Sequence, residues 1–428
     1  MSVLVEPALG QETPTRGFEI EKHLRQIPGG WTFRRAKYHF REIDFRSQSG
    51  QEELLSVSHT TGVTPRSEKN VTMFEAESYE GSKLCWENDL VINTLWAWMG
   101  ALGVSSQHGI VSPAYGVYRF RNRSEFNARY VDHLLRTPIY KAEYFCRSTG
   151  IRASRLRLYP EDFLRIPLLC PPREEQDAIV AFLDRKLEEI DRFIANKRRL
   201  IELLEAERKS IRQRAVTRGL DANRPLEQSG IFWLPEIPVG WTAGRIKSEF
   251  ENLNTRRIPL NTVERGEMKS RKYDYYGASG VIDKVDEYLF DEDLILIAED
   301  GANLVLRNLR LSIVARGRYW VNNHAHILRP RRGDLFFLAE LLEAVDYNPW
   351  ISGAAQPKLT KDRLMAVEIP VPPPEEQEEI GQHLQREFAR IDRAAALIEE
   401  EVNLMNEFRQ SLVAEAVTGK LALHKTIK

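Results

Sequence analysis

The sequence predicts an α+β protein: two mixed α/β domains separated by a long intramolecular antiparallel coiled coil of two helices, with pseudo-twofold symmetry. Three observations predict it. Residues Pro171 to Leu220 recur as Pro372 to Leu421 at a constant offset of 201, without a gap and with 19 of 50 positions identical. Apolar residues in both copies recur alternately four and three apart. Ile27-Pro28-Gly29-Gly30-Trp31 returns as Ile237-Pro238-Val239-Gly240-Trp241, which marks the start of a globular part ahead of each copy. A repeat of such long period governs every other reading of the chain.

Six segments follow in order. Residues 1–24 read as a loosely held N-terminal arm, and 25–172 as the first globular domain. Within that domain Asp89 to Asn93 looks like a buried strand, while Tyr115 to Tyr118 suggests a half-buried one. Residues 173–220 are the first coiled-coil helix. Residues 221–236, punctuated by Pro225, Gly230 and Pro235, read as a linker. Residues 237–373 form the second globular domain, with strands expected at Val281 to Asp283 and Asp293 to Ile297. Residues 374–428 are the second helix and a C-terminal tail.

Leu183, Leu187, Ile190, Ile194, Lys197, Ile201, Leu204, Arg208, Ile211 and Ala215 form one seam, and the residues 201 further on form the other. Sustained spacing of 3.5 residues is the signature of a coiled coil. The region Arg173 to Arg218 has 12 basic and 10 acidic residues, and Glu375 to Lys420 has 5 and 11, so the two attract each other within one chain. Parallel pairing would force a domain with a radius of gyration of about 14 Å to reconnect points about 66 Å apart. Antiparallel pairing needs no such stretch.

Composition excludes several classes. The chain has 428 residues, 42% hydrophobic and 29% charged, room for two or three cores. The first thirty residues lack the pattern of a signal peptide and no apolar stretch approaches 18 residues, so a cytoplasmic protein with no membrane contact is expected. Cys85, Cys146 and Cys170 fit packing better than disulfides or zinc. The net charge of -1 conceals local bias: Val305 to Arg332 carries seven arginines and no acid. No Gly-x-x-x-x-Gly-Lys-Ser/Thr loop is present, and Asn348-Pro349-Trp350 lacks the second proline of an adenine methyltransferase motif. No catalytic residue and no metal site is assigned.

Two related but different basic domains joined by a rigid rod suit a two-part DNA site, whose halves face one side of the duplex about 34 Å apart. The wording of the chain carries a resemblance to a known family. Gly30-Trp31 and Gly240-Trp241, Asn93 to Ala101, Ser112 to Tyr115, Tyr276 to Gly280, Glu299 to Asn303, Val321 to Ala325, Gln356 to Thr360, and the repeated Glu-Glu-Gln and Ala-Val-Thr ends occur in a duplicated order. Over residues 20–425 the chain resembles the specificity subunits of type I restriction-modification systems, from bacteria or archaea. The resemblance implies two target-recognition domains, each reading half of an asymmetric bipartite site in double-stranded DNA, with the coiled coil setting the unread gap. It further implies two modification subunits that bind S-adenosylmethionine and methylate adenine, and two restriction subunits that use ATP and Mg for translocation and cleavage. No cofactor is then bound by this chain. A type II specificity subunit with a fused cleavage and methylation partner shares the layout. A self-contained nuclease would need a motif that is absent, and a coiled-coil tether would bind DNA without sequence preference.

Base edges are read by side-chain donors and acceptors, and phosphates by cations and amides. The candidates are accordingly polar, turn-rich segments. In the first domain they are His59, Thr60, Thr61, Arg66, Lys69, Ser106, Gln107, His108, Arg152 and Arg155. In the second they are Lys269, Arg271, Lys272, Tyr275, Tyr276, Asn303, Arg316, Gln356 and Lys358. For each, a solvated surface residue is the plainer reading. Trp96 and Trp98 alternate with apolar neighbours, which favours core packing over base stacking. His324 and His326 have no cysteine or carboxylate spacing to match a metal and are expected to be structural. Lys197, Arg208 and Arg409 on the seam either snorkel, or fix register or meet the modification subunits or DNA phosphates, and the Glu-Glu-Gln starts complement the helix dipole.

Overall fold

The computed structural model describes residues 20–24, 27–69, 78–150, 156–353 and 356–421. Five helices of eight or more residues are found among them: α1 (Ala128–Leu135), α2 (Pro138–Arg147), α3 (Arg173–Arg218), α4 (Leu335–Ala344) and α5 (Pro374–Val417). The chain divides into two compact units, residues 1–196 with 401–428, and residues 197–400. Each unit therefore takes one globular domain together with part of α3 and part of α5.

In the first unit Phe40–Ile43, Gly116–Phe120, Leu90–Ile92 and Leu102–Val104 form an antiparallel sheet in that order. The two strands expected from the sequence are its centre, with Leu90 opposite Tyr118. Thr32–Arg35 pairs with Pro167–Cys170, so the first and last strands of the domain are clasped together. Tyr130 and Tyr140 are fully buried between this clasp and the helices. The Tyr130 hydroxyl donates to the carbonyl of Val417 at 3.0 Å, which ties the domain to the end of α5. Ile20 and Leu24 are buried in the same core, so residues 20–24 of the expected arm are anchored by their apolar side chains.

The second unit has an antiparallel sheet ordered Phe250–Asn252, Ala325–Pro330, Leu294–Ala298, Ser312–Ala315. A second sheet joins Gly280–Val285, Tyr273–Gly277, Arg318–Val321 and Phe290–Asp291. Thr242–Arg245 and Glu368–Val371 repeat the clasp of the first unit. The expected linker is instead a hairpin, Leu226–Ile231 against Leu234–Pro238, with Ile231, Leu234 and Ile237 in the core. Gly230, at a φ of 71°, sits in a bulge of this hairpin. The glycine that suggested a linker thus supplies a backbone conformation that a bulge requires.

The helices run antiparallel in each unit, and the seam is buried. Leu183, Ile190 and Ile194 share the first core with Leu412 and Ala416, while Ala215 shares the second with Leu384 and Phe388. Two seam arginines fix the register: Arg409 pairs with Asp191 at 3.0 Å in the first unit, and Arg208 with Asp392 at 2.6 Å in the second. The 201-residue offset converts one pair into the other. Both pairs are partly exposed, so each contributes at most about 1 kcal/mol; buried seam residues contribute roughly 1.5–3 kcal/mol apiece.

The Glu-Glu-Gln starts do more than complement a dipole. The indole N–H of Trp31 donates to Glu175 at 2.7 Å, and that of Trp241 to Glu376 at 2.9 Å. Each tryptophan also meets the terminus of the antiparallel partner helix: a Cβ on Gly419 would fall 3.1 Å from Trp31, and one on Gly219 3.4 Å from Trp241. Both glycines have positive φ, 75° and 72°, the conformation that ends a helix. One tryptophan per unit therefore latches the start of one helix to the end of the other.

His326 is fully buried. Its Nε2–H donates to the carbonyl of Leu359 at 2.8 Å, which can only accept, so Nδ1 takes the hydrogen from the Asn254 amide at 2.8 Å. The ring is structural, and burial lowers its pKa from the ordinary histidine value.

Two predictions follow from these contacts. Trp31→Phe keeps the ring but loses a hydrogen bond to a carboxylate worth about 1–2 kcal/mol, so exchange protection of the amides of Val417 to Gly419 falls roughly 5- to 30-fold. Hydrogen exchange should show Val216 to Gly219 unchanged; an equal loss in both units would refute the latch. For His326 the folded pKa lies below the unfolded value of about 6.5. Its contribution to stability is then complete above about pH 6.5 and is lost as the pH falls toward the folded pKa. Denaturant midpoints of the second unit should decline over that window, and His326→Gln should flatten the decline.

Candidate nucleic-acid interface

In the first unit the hairpin Leu55–Ser58 with Gly62–Pro65 carries His59, Thr60 and Thr61 at its exposed tip. Ser58 holds the tip: its hydroxyl accepts from the amides of Thr60 and Thr61 at 3.3 and 3.1 Å and shares hydrogen bonds of 3.0 Å with both threonine hydroxyls. Arg136, at the end of α1, donates to the Thr60 carbonyl. The three tip residues face His133, Arg136, Lys141 and Arg409 across a groove. A second depression shares Thr61 and His133 and takes in Ser106, so the structure brings four of the predicted residues together.

The other candidates of this unit lie apart from that groove. Arg66 begins a short turn at the base of the hairpin, where Lys69 donates to Ser56 at 3.3 Å and burial lowers its pKa. Gln107 accepts through its carbonyl from the Ser105 hydroxyl at 2.7 Å. The exposed His108 packs against Trp86, whose ring also carries the Arg119 guanidinium at 4.6 Å. Arg152 and Arg155 lie outside the described residues. Trp96 corrects an expectation: it is 48% exposed and stacks on Trp98 at 6.2 Å instead of entering the core, because both belong to a short surface turn.

In the second unit the backbone amides of Lys269 and Arg271 donate to Asp286 at 3.0 and 2.6 Å, leaving Lys269, Arg271 and Lys272 exposed. Tyr275 is a core residue, 2% exposed, whose hydroxyl accepts from the Leu260 amide at 3.1 Å. Tyr276 is half-buried against Tyr319. Asn303 closes its own loop through two hydrogen bonds with the backbone of Leu309. Gln356 and Lys358 lie beside that loop, through the Gly301 amide on the Pro357 carbonyl at 3.0 Å and the bridge between Asp300 and Lys358. Lys358 pairs with Glu299 at 3.3 Å, and Arg316 with Asp293 at 2.8 Å. His324 is exposed, with Nδ1 held by Asp300 at 2.9 Å.

The arginine-rich segment is less free than its composition suggests. Arg310, Arg316, Arg318, Arg329 and Arg332 all pair with carboxylates from elsewhere in the unit. Five of the seven arginines in a run without acids in sequence are thus matched by acids in space. The residues that sequence reasoning missed are those lining the first groove from the helices: His133, Arg136 and Lys141. Arg129, His133 and Arg136 recur at helical spacing on one face of α1, a signal that was available.

Among the described residues no cluster of three metal-ligating side chains occurs, and no helix is long and apolar enough to cross a membrane. Burial pushes the thiols of Cys85 and Cys170 up to about 12, as befits packing residues.

Comparison with known proteins places this geometry. Residues 238–403 match the model of the type I restriction modification DNA specificity domain. A putative type I restriction enzyme specificity subunit of Haemophilus influenzae is 31% identical over 157 residues, 36% of this chain and 37% of that protein. The EcoDI type I restriction enzyme specificity subunit of Escherichia coli is 22% identical over 190 residues, 44% of this chain and 40% of that protein. The matched parts thus span about two fifths of these curated relatives. A chain solved in work on the assembly and conformational transition of the type I R-M system shares the fold, with a TM-score of 0.66 at 16% identity over 92% of this chain and 100% of that one. The HsdS subunit of Thermoanaerobacter tengcongensis gives 0.50 at 16% identity, over 92% and 98%. Residues 238–403 thus resemble the type I restriction modification DNA specificity domain, and over 92% of its length the chain shares the fold of the chain solved in work on the type I R-M system.

Proposed function

We propose that this chain is the DNA-reading subunit of a type I restriction-modification complex, working in the cytoplasm. Each mixed domain reads one half of an asymmetric bipartite site, and the coiled coil sets the length of the unread gap. The observation that carries this reading is a duplicated, register-locked helix pair that bears two domains with different polar surfaces. Equal seams, with ion pairs interchanged by one offset, support a rod of defined length. The unlike surfaces, His59 to Thr61 in one domain and Lys269 to Lys272 with Gln356 in the other, support unlike half-sites.

The chain itself performs no bond-making step in this reading. It binds duplex DNA and presents the target to two modification subunits, which bring S-adenosylmethionine, and two restriction subunits, which bring ATP and Mg. Specific recognition divides into phosphate contacts that position and base contacts that discriminate. The exposed hydroxyls of Thr60 and Thr61 and the amide of Gln356 suit the second task, since both groups donate and accept.

Inserting one heptad at matching positions of α3 and α5 lengthens the rod by about 10 Å, or roughly three base pairs at 3.4 Å each. Mapping methylated adenines in cells that carry the complex should show unchanged half-sites separated by a longer gap. An unchanged gap would remove the ruler. Exchanging residues 25–172 with 237–373 should exchange the half-sites in the same assay; retention of the original order would contradict independent reading by each domain.

A further inference from the structure

The two units carry the same groove. In the first, the helix wall is made by Asn406, Arg409, Gln410 and Val413; in the second, by Glu205, Arg208, Lys209 and Arg212. These are the same four positions of the repeat, offset by 201. The opposite walls come from unrelated parts of the two domains: the hairpin tip with α1 and α2 in the first unit, and residues Arg307 to Arg310 with the end of α4 in the second.

The charge of both grooves is nevertheless alike. The first is lined by three basic residues, Arg136, Lys141 and Arg409, and among the described residues by no aspartate or glutamate. The second is lined by five basic residues and two glutamates. Asp132 and Asp191 pair with Arg136 and Arg409 of the first, and Asp392 and Glu340 with Arg208, Arg212 and Arg310 of the second, so each groove keeps one positive charge in excess. Both keep a lysine without an ion pair among the described residues: Lys141, whose stem lies against Gly100, and the exposed Lys209. Burial and the adjacent Arg136 guanidinium lower the Lys141 pKa, the response of an ammonium held beside another cation without a counter-charge. His133 lines the first groove, and its ring makes no hydrogen bond among the described residues.

We propose that the twin grooves are seats for the sugar-phosphate backbone of duplex DNA, one per unit, with Lys141 and Lys209 as the phosphate-contacting cations. The base-reading side chains border the first seat, where Thr60 and Thr61 share a wall with Arg136. The seat fixes where the backbone runs, and the tip then meets the base edges. This inference rests on the DNA-reading function proposed above and adds to it the residues that carry sequence-independent affinity.

The test is the salt dependence of binding, measured on the full chain with a duplex containing the methylated target sequence and with a random duplex. Each phosphate contact contributes about 0.9 to the slope of log K against log[salt]. Lys141→Ala and Lys209→Ala should each reduce the slope by about that amount and weaken both duplexes alike, and the double variant should lose about twice as much. Lys141→Arg, which keeps the charge, should restore the slope; unchanged tryptophan fluorescence confirms the fold. Wild-type slopes in both alanine variants, with the unmodified chain binding DNA, would overturn the seats alone. An unmodified chain that binds neither duplex would overturn the DNA-reading function and the seats with it.

Discussion

Everything in this molecule hangs on an apolar seam between two antiparallel helices. In each unit that seam merges with the core of a globular domain, so helix pairing and domain packing are one cooperative event. Leu183, Ile190 and Ile194 belong to the same core as Tyr130 and Phe163, and Leu384 and Phe388 to that of Trp241 and Phe337. Hydrophobic contact is non-directional and would tolerate a slip along the helices. Polar partners at defined seam positions exclude it. Arg409 on Asp191 and Arg208 on Asp392 add little energy and much definition.

The latches at the helix ends extend the same logic. A domain attached only by flexible strand ends could not aim its surface. Trp31 and Trp241 each engage the start of one helix and the terminus of the other, and the strand clasp beside them ties the two ends of the domain together. The scaffold is thus repeated while the surfaces above it diverge. Arg208 also lies 4.5 Å over the ring of Phe388, whereas the position equivalent to Phe388 is Leu187, so even the repeated seam is tuned differently in the two units.

Charge in this chain is sorted by folding and not by composition. Val305 to Arg332 looks like a cationic surface when written out, yet Asp291, Glu292, Glu340 and Glu249 fold onto its arginines. Lys141 and Lys209, which have no ion pair among the described residues, stand in grooves assembled from segments far apart in sequence. Net charge over the whole chain therefore conceals local excess, and a local run of like charge exaggerates it.

The sequence by itself determined the architecture. The 201-residue repeat, the 3.5-residue seam and the chain-length argument for antiparallel pairing led to two domains and two helices, because periodicity is a direct imprint of helical geometry. Buried strands were equally legible at Leu90–Ile92 and Leu294–Ala298, where continuous apolar runs leave few alternatives. Tertiary structure alone decided which polar residues stand at the surface. Tyr275 and Asn303 read like contact residues, yet the first lies in the core and the second closes its own loop; Trp96 reads like core and stands exposed. The supposed linker became a packed hairpin, since Ile231, Leu234 and Ile237 found a core that no local pattern reveals. A side chain's neighbours come from distant segments, and His133, Arg136 and Lys141 gained a shared groove only when α5 closed over them.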